Sequence, residues 1–146
     1  MRISCGLAPS LDTVEHAKLA EELGYDRVWL YDSPAIYLDI WASLALVASA
    51  TERIGLGTAV LVPGLRNVVA EAAAIATIEA VAPGRLALGY GTGATARWTF
   101  GKRPLSLASV GEHVRKLRAL LRGEVVEVDG HRVQICLLYT SDAADE

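Results

Sequence analysis

The chain repeats a rhythm of apolar strand, turn, amphipathic helix and next strand, and this rhythm constrains its fold more than any other feature. Strand-like runs fall at Arg2–Leu7, Asp26–Tyr31, Ile54–Val62 and Arg85–Gly89. Helical patterns fall at Asp12–Leu23, Leu38–Ala50, Asn67–Ala80 and Ser106–Arg122. Strands that alternate with helices predict parallel pairing through crossover helices. Units roughly 25–30 residues apart fit the βαβ repeat. Four units in 146 residues fall well short of the ~250 that close an eight-stranded barrel. The expected fold is therefore α/β: the N-terminal half of a (β/α) eight-stranded TIM barrel, four βα units plus a partial β-hairpin insertion. The hairpin is predicted from Val125–Val128, the turn Asp129–Gly130 and His131–Ile135, because Asp-Gly between alternating apolar residues favours a tight primed turn.

Composition agrees with a buried parallel sheet. The chain is 52% hydrophobic and 21% charged, with mean hydropathy +0.31. A net charge of -3 gives no electrostatic basis for binding nucleic acid or an anionic membrane. No apolar run approaches the ~20 residues of a membrane span. The start passes directly into a strand without signal-peptide character, and the two cysteines form no disulfide framework. These features predict a cytoplasmic protein without nucleic acid or membrane partners.

The last segment, residues 136–146, continues neither period. It resembles the conceptual translation of a sequencing adaptor, with an ordinary polar extension as the alternative. The expected division is thus a partial barrel domain over 1–135 and a non-native tail over 136–146.

In parallel α/β folds, chemistry gathers at the carboxyl ends of the strands. After the first strand, Ser10 or Asp12 is an N-cap and Gly24 a left-handed C-cap; His16 is a solvated or interface residue. After the second comes Asp32, which can bind a ligand, hold a catalytic partner or cap the following turn; placement at a barrel mouth favours function. The third strand carries Gly55 and Gly57, which mark a bulge or a close main-chain approach. The fourth ends in Gly89-Tyr90-Gly91-Thr92-Gly93-Ala94, where small residues admit a flat ligand or a phosphate. The spacing formally matches a dinucleotide fingerprint, although that motif opens a first βα unit rather than closing a fourth strand. Glu15, Lys18, Glu21 and Glu22, like His113, Arg115, Lys116, Arg118 and Arg122, read as solvated helix faces. Arg97, Lys102 and Arg103 either meet an anionic substrate or lie on the surface.

Three stretches together resemble the bacterial luciferase-like superfamily: Thr51–Val60 with Pro63, Ala74–Glu79, and Pro83–Gly93. The wording of the third helix and the Gly-x-Gly-x-Gly end are most similar to the methylenetetrahydromethanopterin reductase branch. The resemblance implies a flavin- or F-420-dependent oxidoreductase, with FMN or the deazaflavin coenzyme F-420 as cofactor and a homodimer at full length. It implies that Asp32 lies beside the ring system as the candidate catalytic residue. It also implies that Thr58, Ala59 and Val60 form a bulge behind one ring face, with a non-proline cis peptide at Ala59–Val60 that bends the ring. Gly91, Thr92 and Gly93 would contact the cofactor. Two departures set the chain apart from the sugar-phosphate dehydrogenases of the family: Ser33 stands where they carry histidine, and Ala94 where they carry an acid. Two other readings are a half-barrel that needs a partner half and has no catalysis of its own, and a non-flavin barrel enzyme. The second would want a lysine or paired carboxylates at the strand ends, and only Asp32 is acidic there.

Overall fold

Four parallel strands form one sheet in the order β1-β2-β3-β4: β1 (Ser4–Leu7), β2 (Arg27–Leu30), β3 (Gly55–Leu61) and β4 (Leu86–Tyr90). The computed structural model describes residues 1–135, so the adaptor-like segment 136–146 lies outside the described residues. The connecting helices are α1 (Thr13–Glu22), α2 (Ile40–Ala50), α3 (Val68–Val81), the short α4 (Ala94–Trp98) and α5 (Leu107–Leu121). A separate antiparallel hairpin joins β5 (Val126–Val128) to β6 (His131–Val133).

Sequential strand order has a direct consequence. Crossover connections are right-handed, so strands added always on the same side place every helix on one face of the sheet. The helices accordingly pack in sequence, α1 on α2, α2 on α3 and α3 on α5. This is barrel winding. A dinucleotide-binding sheet reverses its order at a switch point, so the Gly89–Ala94 spacing is not such a fingerprint here.

The core lies between sheet and helices. Val28, Leu30 and Leu56 from the strands meet Ala17, Ile40, Leu44, Val47, Ala72, Ile78 and Leu117 from the helices. Each fully buried leucine or isoleucine contributes roughly 1.5–3 kcal/mol relative to exposure. The opposite face of the strands carries Arg27, Trp29 and the small residues beside them. A Cβ on Gly57 would stand 2.3 Å from Trp29 Cε3, so Gly57 is glycine because the indole of β2 lies across it.

Helix starts follow their caps. Asp39 Oδ1 accepts from the N–H groups of Trp41 and Ala42 at 2.9 and 3.0 Å. Asn67 Oδ1 accepts from Val69 at 2.8 Å, and Ser106 Oγ from Ser109 at 3.1 Å. At α1, Asp12 occupies the cap position without a side-chain cap bond, while Thr13 Oγ1 accepts from Ser10 N at 2.7 Å. Gly24, at φ +79°, closes α1 with Tyr25 N donating to Ala20 O at 2.9 Å, a Schellman end. The hairpin turn has positive φ at both Asp129 and Gly130, as a type I′ turn requires.

The amino ends of the strands are held by charged side chains on main-chain groups. Arg85 donates to Ile54 O at 3.0 Å, beside the start of β3, and to Thr51 O at 2.7 Å and Ala48 O at 3.4 Å, where α2 ends with open carbonyls. Arg27 donates to Arg85 O at 2.8 Å and also to Leu56 O. Glu21, assigned from the sequence to a solvated face, instead receives the N–H groups of Glu52, Arg53 and Ile54 at 3.1, 2.6 and 2.8 Å. Burial works against its charge, but these three donors and the Arg53 charge hold its carboxyl below the ordinary range. A lowered carboxyl contributes stability above the unfolded value and loses it as pH falls through the folded one. Replacing Glu21 with alanine is expected to cost about 1 kcal/mol at neutral pH, read by urea unfolding, and almost nothing in strong acid. An equal cost at both pH values would show that the three N–H bonds are not the source.

Candidate functional site

The carboxyl ends of β2, β3 and β4 enclose a cleft of about 400 Å³, within the range of small-molecule sites. Asp32, Ala59, Val60, Thr92 and Gly93 all line it, together with Tyr31, Ser33, Ile36 and Tyr37. Thr58 and Gly91, the other two residues expected at the cofactor, do not line it.

Behind the cleft β3 departs from regular pairing. Thr58 opposes Leu88, but Leu61 opposes Tyr90, so the register shifts between Thr58 and Leu61. Thr58 is fully buried. Its hydroxyl accepts from Gly89 N at 3.0 Å and donates to Gly89 O at 3.2 Å. One side chain thus replaces a rung of the ladder, and main-chain pairing resumes where Gly91 N donates to Leu61 O at 2.9 Å. The Ala59–Val60 peptide is cis, at the position the family resemblance implies. Val60 is 40% exposed and presents an apolar surface to the cleft.

The glycines at and just after the end of β4 fit against β3 and its bulge as a row. A Cβ on Gly89 would lie 2.6 Å from Thr58 O, one on Gly91 2.5 Å from Val60 Cγ2, and one on Gly93 2.2 Å from Val62 Cγ1. Their small size therefore serves the interlock of β4 with the bulge, on the side where they face β3. Gly93, at φ +77°, also caps α4, an element that the helical periodicity of the sequence does not predict. Arg97 lies in α4 and donates to Arg103 O at 2.7 Å.

Asp32 stands across the cleft from the bulge, its side chain 2% exposed. Arg66 Nη1 donates to Asp32 Oδ2 at 2.8 Å, and Arg66 Nη2 to Asp39 Oδ2 at 2.8 Å. Burial pushes the Asp32 carboxyl up, and the Arg66 guanidinium only partly pulls it back. Arg66 was not singled out from the sequence: it precedes α3 in a connection with no periodic pattern to place it.

A second set of polar groups lies on the helix side of β4. Glu71 Oε1 accepts from the Tyr90 hydroxyl at 3.0 Å, and Glu71 Oε2 lies 2.7 Å from His113 Nε2. The Glu71 and His113 side chains are only 6% and 12% exposed. His113 is therefore not part of a solvated face, as the sequence suggested; the buried carboxylate of α3 draws it inward. Burial and the Glu71 charge push the Tyr90 phenol well up, so it stays protonated and donates. The signal was available: Val68, Glu71, Ile75 and Ile78 share one stripe of α3, and Val110, His113, Leu117 and Leu120 share one of α5.

Residues 7–143 match the model of the luciferase-like monooxygenase family. The chain belongs to that family. It is 35% identical over 130 residues to 5,10-methylenetetrahydromethanopterin reductase of Methanolobus tindarius, covering 86% of this chain and 39% of that protein. It is 35% identical over 140 residues to F420-dependent glucose-6-phosphate dehydrogenase of Beutenbergia cavernae, covering 82% of this chain and 39% of that protein. The chain thus spans about two fifths of the length of these curated relatives. Among solved structures, monooxygenase RslO1 from Streptomyces bottropensis superposes with TM-score 0.76 at 24% identity, over 95% of this chain and 49% of that one. The coenzyme F420 dependent tetrahydromethanopterin reductase from Methanopyrus kandleri superposes with TM-score 0.71 at 20% identity, over 90% and 44%. At these identities the structures establish the fold: a half-barrel of the luciferase-like type.

The packing separates two glycines by what they meet. Gly89→Ala drives a Cβ into a main-chain carbonyl and is expected to cost about 1–3 kcal/mol, with no recovery from Val60→Ala. Gly91→Ala meets only a side chain, so Val60→Ala should restore most of its loss. Thermal melts of the four variants decide this, and equal rescue of both would refute the interlock. Asp32 gives a prediction with its own sign. A raised carboxyl binds its proton more tightly in the folded state, so its stabilising contribution is complete below the ordinary carboxylate range and is lost as pH rises. Asp32→Asn should therefore melt higher than the parent at neutral pH and equally with it in acid; a lower melt at neutral pH would contradict the balance described.

Proposed function

We propose that this chain forms the N-terminal half of a flavin- or F-420-dependent oxidoreductase, with Asp32 beside the cofactor ring and the Thr58–Val60 bulge behind one of its faces. The observation that supports it most is convergence. Asp32, Val60 and Thr92 come from three separate strand ends and line one cleft, in a chain of the luciferase-like family. The residues fit a flat, partly polar ring. Val60 offers an apolar surface, Thr92 a hydroxyl and Asp32 a carboxylate oxygen, and the cleft volume suits a fused-ring system. FMN or F-420, once bound, would supply the redox chemistry toward a small organic substrate.

The chain's own contribution is geometric and electrostatic. The bulge gives one ring face a wall held in place by the Thr58–Gly89 bonds. Asp32, its own side chain buried, places a hydrogen-bond acceptor at the ring edge, where a fixed group with little access to water acts strongly. Gly91 and Gly93 let β4 approach close enough for Thr92 to reach the same space. Homodimerisation at full length belongs to this proposal as what the family resemblance implies, and a cytoplasmic setting as the default reading of the sequence. Among the described residues no helix is long and apolar enough to cross a membrane.

The test begins by sequencing the source DNA past the codon for Ile135 and expressing the longer reading frame whole. That protein is expected to bind one F-420 or one FMN, read by ring absorbance and fluorescence, whereas the 146-residue chain binds neither tightly. Ala59→Asp, which sets a charge against the ring, should weaken binding at least ~100-fold, since an unpaired charge facing an apolar surface costs several kcal/mol. Unchanged affinity in that variant would overturn the bulge assignment, and a full-length protein that binds neither cofactor would overturn the function.

A further inference from the structure

Arg66 is held at both ends. It stands in the β3–α3 connection, outside the strand ends that line the cleft, and its side chain is 20% exposed. One end of its planar fork meets Asp32 Oδ2 and the other meets Asp39 Oδ2, each at 2.8 Å. Asp39 is itself immobilised, because its Oδ1 accepts the N–H groups of Trp41 and Ala42 in the first turn of α2. A guanidinium bonded along two edges has little rotational freedom, unlike a lysine ammonium on a flexible stem. The chain of contacts therefore runs from the head of a helix, through one carboxylate and one fork, to the buried carboxylate of the cleft.

What remains open on Asp32 matters most. Among the described residues Arg66 is its hydrogen-bond partner, and it takes Oδ2. Oδ1 is left for the cleft that Asp32 lines. We propose that Arg66 is the positioning residue for Asp32: tethered to Asp39, it pins Oδ2 and turns Oδ1 toward the ring system that occupies the cleft. This rests on the functional reading above only for what Oδ1 meets; the pinning is a property of the chain itself.

Charge follows geometry. Burial, Asp39 and Glu71 all favour a protonated Asp32, and Arg66 opposes them. Without Arg66 the carboxyl would keep its proton to higher pH and offer a donor where the site needs an acceptor. Arg66 thus sets both the direction and the hydrogen-bonding sense of the group.

The experiment is a carbon-13 titration of the Asp32 carboxyl in the full chain, with the resonance assigned by its loss in D32N. R66M is expected to raise the Asp32 midpoint by about one pH unit or more, a tenfold tighter hold on the proton. R66K, which keeps the charge without the fork, should recover part of the shift and less than all of it. A midpoint in folded R66M within about 0.3 unit of the parent overturns the proposal, and so does full recovery in R66K, which would leave the fork without a role. Should R66M fail to fold, the double variant R66M/D32N removes the stranded carboxylate. Recovery of the fold supports the pairing, and a double variant that stays unfolded overturns it. The titration needs no cofactor, so a protein that binds neither F-420 nor FMN would count against the function while this result stands separately.

Discussion

The Thr58 hydroxyl, wedged between β3 and β4, is the contact on which the carboxyl end of the sheet depends. A parallel ladder leaves no room for an extra residue unless something satisfies the main-chain groups that lose their partners. Here a single hydroxyl takes both groups of Gly89, and the strand swings outward through Ala59 and Val60 before it pairs again at Leu61. The absence of side chains at Gly89 and Gly91 follows from this, since each faces a part of the bulge, while Gly93 faces Val62 just beyond it. The cleft follows in turn, because the outward swing brings Val60 to the mouth of the sheet opposite Asp32.

Much of this was legible from residue order. Strand positions follow from apolar runs, and the half-barrel winding follows from their regular spacing. The first residues of the helical patterns at Asn67 and Ser106 proved to be the caps, with the helices beginning one residue later, which is where cap chemistry places them. Asp32 stands out because it is the one acidic residue at a strand end. The glycines were visible too, but their reason was not: a sequence shows that a side chain is missing without showing which neighbour fills the space.

The misses share a cause. Glu21 and His113 read as water-facing because charged and polar residues on helices usually are. Each instead meets a partner distant in sequence: main-chain groups of 52–54 for Glu21, and Glu71, across α3 and α5, for His113. Position on the apolar stripe of α5 marks the burial of His113, whereas Glu21 carries no comparable mark. Arg66 was invisible for a further reason. Its partners, Asp32 and Asp39, belong to the preceding βα unit, and only the folded chain brings the two connections together.

The charged contacts divide cleanly along the strand axis. Glu21, Arg27 and Arg85 tie main-chain groups at the amino end of the sheet, while Asp32, Arg66 and the bulge occupy the carboxyl end. The two groups share no side-chain partner among the described residues. Variation at the carboxyl end can thus re-tune which molecule is bound while the amino end keeps the scaffold assembled. One such frame can host many chemistries because the residues that diversify are not the residues that keep it standing.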